Sequence, residues 1–157
     1  MKVSWPLVII GGGIVAIDQW TKWLASRFLS FYSGVGVISN VIDFQLVHNY
    51  GAAYGIFQDQ RILLIGVSIA VLVVCWMFRR AIITSRWSLY GVVILVGGAV
   101  GNLIDRVAHG FVIDFINIHI IPVFNVADMC INIGIGCFIV EYIIFRRAAR
   151  DGSSESA

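Results

Sequence analysis

The sequence predicts a membrane all-α protein, a four-transmembrane-helix bundle with a small outward-facing β-sheet between helices 1 and 2. Hydrophobic residues make up 59% of its 157 residues and charged residues only 13%, and mean hydropathy is +0.91. Soluble domains are nearer ~45–50% apolar. Four apolar runs, at about residues 5–25, 62–78, 87–106 and 123–145, approach the ~20 residues a helix needs to cross a bilayer. The length therefore fits one membrane domain, residues 1–150, followed by a Ser-rich tail, 151–157, predicted to be disordered.

The first apolar run resembles a signal peptide, because Lys2 precedes it. It lacks a small-x-small cleavage site, and it is long enough to span, so we predict an uncleaved first helix. Asp18 and Lys22, four residues apart, share one face of its distal end and can pair. Two interpretations stay open here, a functional pair or a pair that snorkels to the water interface.

The stretch of residues 30–59 has a different pattern. Ile42, Phe44 and Leu46 alternate with other residues, which indicates a strand. Asn49 then opens the run NYGAAYG, whose small residues favour a turn. We predict a small sheet on the membrane surface, with its apolar face resting on helix ends or on lipid.

The second run is uniformly apolar and is predicted to be scaffold. Gly97 and Gly101 in the third run form a GxxxG pattern, which favours close helix packing. Basic residues occur before the first run, between the second and third, and after the fourth, at Lys2, Arg79 to Arg86 and Arg146 to Arg150. By the positive-inside rule these positions and both termini are cytoplasmic, so the polar ends of the helices meet at the outer face.

Polar residues interrupt the most apolar part of the chain. Asn125, Asp128 and Asn132 recur at i, i+3 and i+7 at the start of the fourth run. An ionisable side chain at mid-bilayer costs at least ~2.5 kcal/mol, so such residues are expected to have a function. Asp114 lies in a loop before Pro122, and two antiparallel helix ends could bring it to Asp128. The hypothesis is a water-activating aspartate pair.

Two neighbouring carboxylates share a proton and so supply a base and an acid together, which suits hydrolysis without a covalent intermediate. Asn102 and Asn125 could donate to a substrate carbonyl or hold an aspartate, and Arg106 could offset carboxylate charge. Structural interpretations exist for each: the asparagines as interhelical hydrogen bonds, and Arg106 as a partner of Asp105.

Several classes of function are disfavoured. No basic patch with interleaved aromatics suggests nucleic-acid binding. The three cysteines lack disulfide or zinc spacing, and no metal or cofactor is predicted; they are Cys75, Cys130 and Cys137. A proton-coupled transporter or channel subunit is the main alternative, and a membrane scaffold is the next. A conduit needs polar residues through the full membrane depth, whereas the second run and the inner halves of the others are apolar.

Five motifs, DQWTK, NYGAAYG, GNLIDR, VIDF and FNVAD, run in this order from Asp18 to Asp128. Together they resemble the bacterial lipoprotein signal peptidases, or signal peptidase II. The resemblance implies an aspartic endopeptidase of the bacterial inner membrane that cuts prolipoproteins before a cysteine carrying diacylglycerol. It also implies cyclic peptide inhibitors of the globomycin type. A monomer in contact with membrane lipid is expected.

By this resemblance Asp114 and Asp128 are the catalytic residues, and Asp105 is not. The supporting or substrate-binding residues it implies are Asp18, Lys22, Asn49, Asn102, Arg106 and Asn125. Gly51 is expected to let the NYGAAYG turn approach the bound chain. The sequence departs from the family at Tyr54, where Phe or Trp is common, and at His48, where Arg is common. The resemblance also implies a flexible lid over the site. The stretch between the two aspartates is short, which bears on the size of that lid but not on the pair itself.

Overall fold

The computed structural model describes residues 5–31, 33–39, 41–51 and 56–154, with side chains up to residue 145. Five helices and three strands follow one another along these residues: α1 (Trp5–Phe28), β1 (Val35–Ile38), β2 (Ile42–Asn49), α2 (Arg61–Met77), α3 (Arg79–Ile82), α4 (Arg86–Ala108), β3 (Val112–Asn117) and α5 (Val126–Ser154). Each predicted apolar run is helical over most of its length. The short helix α3 lies in the predicted basic turn. Lys2, Tyr54 and the last three residues lie outside the described residues.

Helix α4 is the centre of the bundle, because α1, α2 and α5 all pack against it. Glycines allow this closeness. A Cβ on Gly98 would meet the carbonyl oxygen of Ala127 in α5, and a Cβ on Gly101 would meet the carboxylate of Asp18 in α1. The close packing predicted from the GxxxG pattern is confirmed at Gly101, and no larger residue fits at Gly98 or Gly101.

The sheet has three antiparallel strands in the order β1-β2-β3. The alternation from residue 42 predicted β2 correctly, but the third strand was missed. Asp114, predicted to lie in a loop, lies on β3 opposite Val47 of β2. The strand shows no alternation because four consecutive residues, 112–115, are all buried, and a strand buried on both faces reads as a continuous apolar run. The pair therefore comes from a strand and a helix, not from two helix ends.

The connection from β3 to α5 folds back as a tight hairpin-like turn. Phe124 pairs with Ile116, with backbone hydrogen bonds of 2.8 Å and 3.0 Å between them. His119 at the tip has a φ of 63° and contacts the carboxylate of Asp43 at the base of β2. The short stretch between the aspartates thus forms a turn anchored to the sheet.

Helix α5 differs from its prediction at both ends. It begins at Val126, later than the predicted start of the run at about residue 123, so Asp128 lies in its first turn. It also continues to Ser154, four residues into the segment predicted as a disordered tail. The run of Arg and Ala residues before that point has high helix propensity, which extends the helix beyond the apolar run.

The distribution of polarity is inverted relative to a soluble protein. Large apolar side chains face outward, among them Trp5 and Ile62 at 81% and 86% exposed. The fully buried side chains include Asp18, Lys22 and Asn125. Such extensive exposed apolar surface requires an apolar environment. By length and composition two described helices could cross a membrane, Arg86–Ala108 and Val126–Phe145, and α2 is a shorter apolar helix.

Candidate active site

A buried ion cluster joins α1 to α4. Lys22 Nζ lies 2.9 Å from Asp18 Oδ2 and 3.0 Å from Asp105 Oδ2, and it donates to Asn102 Oδ1 at 2.8 Å. The side-chain amide of Gln19 completes the cluster, since its Nε2 donates to Asp105 Oδ1 at 2.9 Å. Asp18 and Lys22 are 0% and 1% exposed, so the snorkelling interpretation is wrong. The cost of burying these two charged side chains is offset because each has polar partners inside the protein.

The same cluster fixes the two elements that carry the remaining aspartates. Asp18 Oδ1 accepts from the backbone N–H of Ala127 at 2.8 Å, in the first turn of α5. Asp105 Oδ2 accepts from the backbone N–H of Ile113 at 3.0 Å, next to Asp114 on β3. Each carboxylate therefore satisfies a buried donor that would otherwise be orphaned at a helix start or in a strand.

Asp114 and Asp128 meet across Asn125. The Asn125 side-chain amide donates to Asp114 Oδ1 at 2.6 Å, and its backbone N–H donates to Asp128 Oδ2 at 3.2 Å. Asn102 Nδ2 donates to the other oxygen of Asp128 at 2.8 Å, while Asn49 Nδ2 donates to Asp114 Oδ2 at 2.9 Å. Three asparagines thus hold both carboxylates in fixed positions.

Burial and the second carboxylate raise the pKa of Asp114 to about 7, although the hydrogen bonds from Asn49 and Asn125 oppose the rise. A neighbouring carboxylate disfavours ionisation of the first, so the two cannot readily be charged together. At neutral pH the pair consequently holds a proton as well as a free carboxylate, the combination required of an acid and a base.

Both carboxylates line one cavity of about 910 Å³ between α2, α4 and α5. Arg106 lines it too, and its Nε is buried without a hydrogen-bond partner in the described part of the chain. The pairing of Arg106 with Asp105 expected by the structural interpretation is not seen among the described ion pairs. Most other lining residues are apolar, including Val67, Leu95 and Ile135.

The turn that begins at Asn49 lies beside the aspartates. Asn49 contacts Asp114 directly, and its Oδ1 accepts from the Gly51 N–H at 3.0 Å. A Cβ on Gly51 would meet the carbonyl oxygen of Ile56 at 2.8 Å. The glycine therefore allows the chain's own turn to close, which is a different close approach from the one predicted. Residues 52–55 of the turn are not described.

His48, at the position where the family commonly has Arg, stacks on Phe111 with ring centroids 3.8 Å apart. Burial and nearby His109 lower the pKa of His48. The side chain therefore stays neutral and contributes packing instead of the charge an arginine would bring.

All nine predicted site residues lie at this end of the helices, in one connected region. Sequence reasoning missed two others. Gln19 had a signal, since it adjoins Asp18 within an apolar run. Arg61 had none: it donates to the carbonyl oxygens of Arg106 and Val107 at 2.9 Å and 2.8 Å, and backbone acceptors on a distant helix leave no pattern in sequence.

Comparison with known proteins agrees with this arrangement. The family model described as Signal peptidase (SPase) II matches residues 10–144. The chain belongs to the signal peptidase II family. A lipoprotein signal peptidase of Acinetobacter baylyi is 37% identical over 150 residues, covering 86% of this chain and 81% of that protein. That of Syntrophotalea carbinolica is 37% identical over 142 residues, covering 85% and 88%.

A solved structure supports the same fold for this signal peptidase II family member. A bacterial membrane enzyme superposes with a TM-score of 0.81 at 28% identity, covering 88% of this chain and 87% of that one. The family processes the signal peptides of prolipoproteins and is of the aspartic type. The resemblance of the five motifs is thereby confirmed, and the chain is a membrane peptidase by family.

Proposed function

We propose that Asp114 and Asp128 are the catalytic pair of an endopeptidase that removes the signal peptide before a diacylglyceryl-modified cysteine. The observation that supports this most is the placement of both carboxylates in one cavity, bridged by Asn125. A pKa of about 7 lets Asp114 keep a proton up to roughly neutral pH, where an ordinary aspartate would be ionised. No other pair of carboxylates lines this cavity among the described residues.

In the proposed reaction the ionised carboxylate removes a proton from water while the water oxygen attacks the scissile carbonyl carbon. The protonated carboxyl donates its proton to the carbonyl oxygen. When the tetrahedral intermediate collapses, the C–N bond breaks and the amine leaves with a proton returned by the pair. Arg106, whose Nε has no described partner, donates to the substrate backbone beside the bond that is cut.

The cavity suits a substrate that lies in the membrane. Its walls are apolar side chains of α2, α4 and α5, and the carboxylates are at one end. An apolar signal segment would lie along these helices, while the diacylglyceryl group stays in lipid and brings the scissile bond to the aspartates. Globomycin-type cyclic peptides would occupy the same cavity, and the enzyme is proposed to work as a monomer and as one domain, residues 1–150.

The positions of the polar residues along the helices also favour the peptidase over the transporter alternative. On α4, the central helix, no polar side chain occurs between Tyr90 and Asn102. These eleven residues span about 17 Å of the helix. A proton or ion path would need polar groups along that length, so the polar residues fit a site at one membrane face.

The decisive experiment compares two precursors incubated with the purified full-length protein in detergent. One precursor carries diacylglyceryl on its cysteine, and the other is the same polypeptide without lipid. We expect cleavage of the lipidated precursor, with the new N-terminus at the modified cysteine. Asp59→Asn is the matched control, because Asp59 is an exposed carboxylate at a φ of 62° that asparagine tolerates. Absence of cleavage of either precursor would overturn the proposal.

We further propose four membrane spans with both termini cytoplasmic and the aspartates and sheet at the outer face of the bacterial inner membrane. The arginines of the α2–α4 connection and those that follow residue 145 are then on the cytoplasmic side. Reporters fused after Ala157 and inserted at Ser85 should be cytoplasmic, and one at Gly34 should be external. An external reporter after Ala157 would contradict the four-span count.

A further inference from the structure

A second cavity, of about 820 Å³, lies at the opposite end of the helices from the aspartates. Helices α1 and α2 form its sides and α4 its floor, and the connection after α2 closes its end. Its lining is almost wholly apolar: Leu7, Val8, Leu72, Val93 and Val96 are representative. No residue placed in the aspartate site lines this cavity.

The floor of this cavity has the length of one bilayer leaflet. Its lining on α4 extends from Leu89 to Val100, eleven helical rises or about 17 Å. Half of a ~30 Å hydrocarbon core is about 15 Å. The cavity is therefore matched to a single extended acyl chain and is too apolar to hold ordered water.

Two arginines lie where the headgroup of such a lipid would be. Arg79 and Arg80 line the cavity beside Trp76. Arg79 is held in place, since its Nη1 donates to the Trp76 carbonyl oxygen at 2.7 Å and its guanidinium lies 4.5 Å from the indole centroid. None of the lining residues is acidic, and the nearby buried Glu141 accepts instead from Thr84 at 2.6 Å.

We propose that this cavity binds one anionic glycerophospholipid of the surrounding bilayer. One acyl chain lies along α4 between α1 and α2, and the phosphate is held by Arg79 and Arg80. Arginine suits this contact because its planar group presents several donors to phosphate oxygens at once. Trp76 fixes one guanidinium at the level of the phosphate, while the apolar walls exclude competing water.

The test is native mass spectrometry of the full-length protein in detergent, titrated with phosphatidylglycerol or with phosphatidylcholine. We expect phosphatidylglycerol to bind more tightly. Changing both residues, Arg79→Gln with Arg80→Gln, should weaken phosphatidylglycerol binding by about fivefold per arginine and leave phosphatidylcholine binding unchanged. Arg86→Gln is the matched control, because Arg86 is exposed at the start of α4, directly after the same connection, but does not line the cavity.

A second variant tests the cavity with the arginines intact. Val93→Trp places a large side chain on the floor and should reduce binding of both lipids, with folding checked by gel filtration. Equal affinity for the two lipids, or an equal loss in Arg86→Gln, would overturn the proposal in favour of a nonspecific surface charge. The readout is lipid binding alone, so its outcome does not depend on the proposed peptidase chemistry.

Discussion

Two buried groups near the same end of the helices each contain two carboxylates and one cation, yet they differ in what surrounds them. In the ion cluster, Lys22 lies within 3.0 Å of both Asp18 and Asp105, and each of these carboxylates also accepts from a backbone N–H group. In the cavity group, Asp114 and Asp128 are held by neutral asparagines. Arg106 lines the same space with its Nε unpartnered among the described residues.

The two groups differ in what contacts their carboxylates, which is the Lys22 cation in the ion cluster and asparagine amides in the cavity group. In the ion cluster a single Lys22 ammonium contacts one carboxylate of α1 and one of α4, so the cluster cross-links these two helices. Amides hold carboxylates without neutralising them, so one of the pair can retain a proton at neutral pH. Burial of charge alone therefore does not identify a catalytic group in a membrane protein. We propose that the nearest hydrogen-bond donors of a carboxylate and its access to a cavity distinguish the catalytic pair from the ion cluster.

The largest effect is expected in the cavity group. Asp114→Asn or Asp128→Asn should each lower the cleavage rate by about 10²–10⁴ or more, because each removes one half of the proposed acid and base pair. Expression and membrane insertion should be unchanged, since asparagine fills the same volume. Cleavage of lipidated precursor per folded molecule is the measurement. A wild-type cleavage rate in either variant would contradict the catalytic role proposed for the cavity group and with it the contrast to the ion cluster.

The ion cluster should respond in stability instead. Lys22→Met leaves two buried carboxylates without their cation, a loss of ~3–5 kcal/mol in comparable buried pairs. Thermal unfolding in detergent and accumulation in the membrane measure it. Asp105→Asn should be milder, since Asp18 still pairs with Lys22 and an amide oxygen can still accept from Ile113 N–H. Loss of cleavage by folded Asp105→Asn equal to that of Asp114→Asn would show that the two groups act as one.

The smallest effect concerns the hydrogen bond from Asn49. Because that bond lowers the pKa of Asp114, Asn49→Ala should raise it from about 7 by under about one unit. The pair loses its proton as pH rises through this pKa, so cleavage falls on the alkaline side. In the variant that fall should shift to higher pH, with a small decrease in rate. An unshifted or acid-shifted alkaline limb would mean that Asn49 does not act through the aspartate.

The sequence predicted the helices well because lipid-facing helices need long apolar runs, and it predicted β2 because its alternation is intact. It did not predict β3, since four successive buried residues, 112–115, give no periodic signal. The cost of charge in lipid pointed to Asp128, while Asp114 rested on the family resemblance for its role. The resemblance also supplied Asn49, whose contact with Asp114 depends on the pairing of β2 with β3.

Hydrogen bonds between a side chain and the backbone of a distant segment could not be predicted from the sequence either. Arg61 satisfies the last carbonyls of α4, and Asp18 satisfies an N–H in the first turn of α5. The acceptor or donor in each case is main chain, present at every residue, so no residue type marks the partner. Such contacts can be identified only once the fold is known.

The hydrogen bond from Ala127 to Asp18 joins residues 109 positions apart, and this has a consequence for biosynthesis. Synthesis proceeds in chain order, so α1 is made first, with Asp18 able to pair with Lys22 on its own face. Asp105 joins when α4 arrives, and the first turn of α5 docks last. The two aspartates of the cavity are thus brought together only when the final helix is in place. A nascent chain has no assembled pair, and the protein acquires the arrangement proposed for proteolysis only on completion.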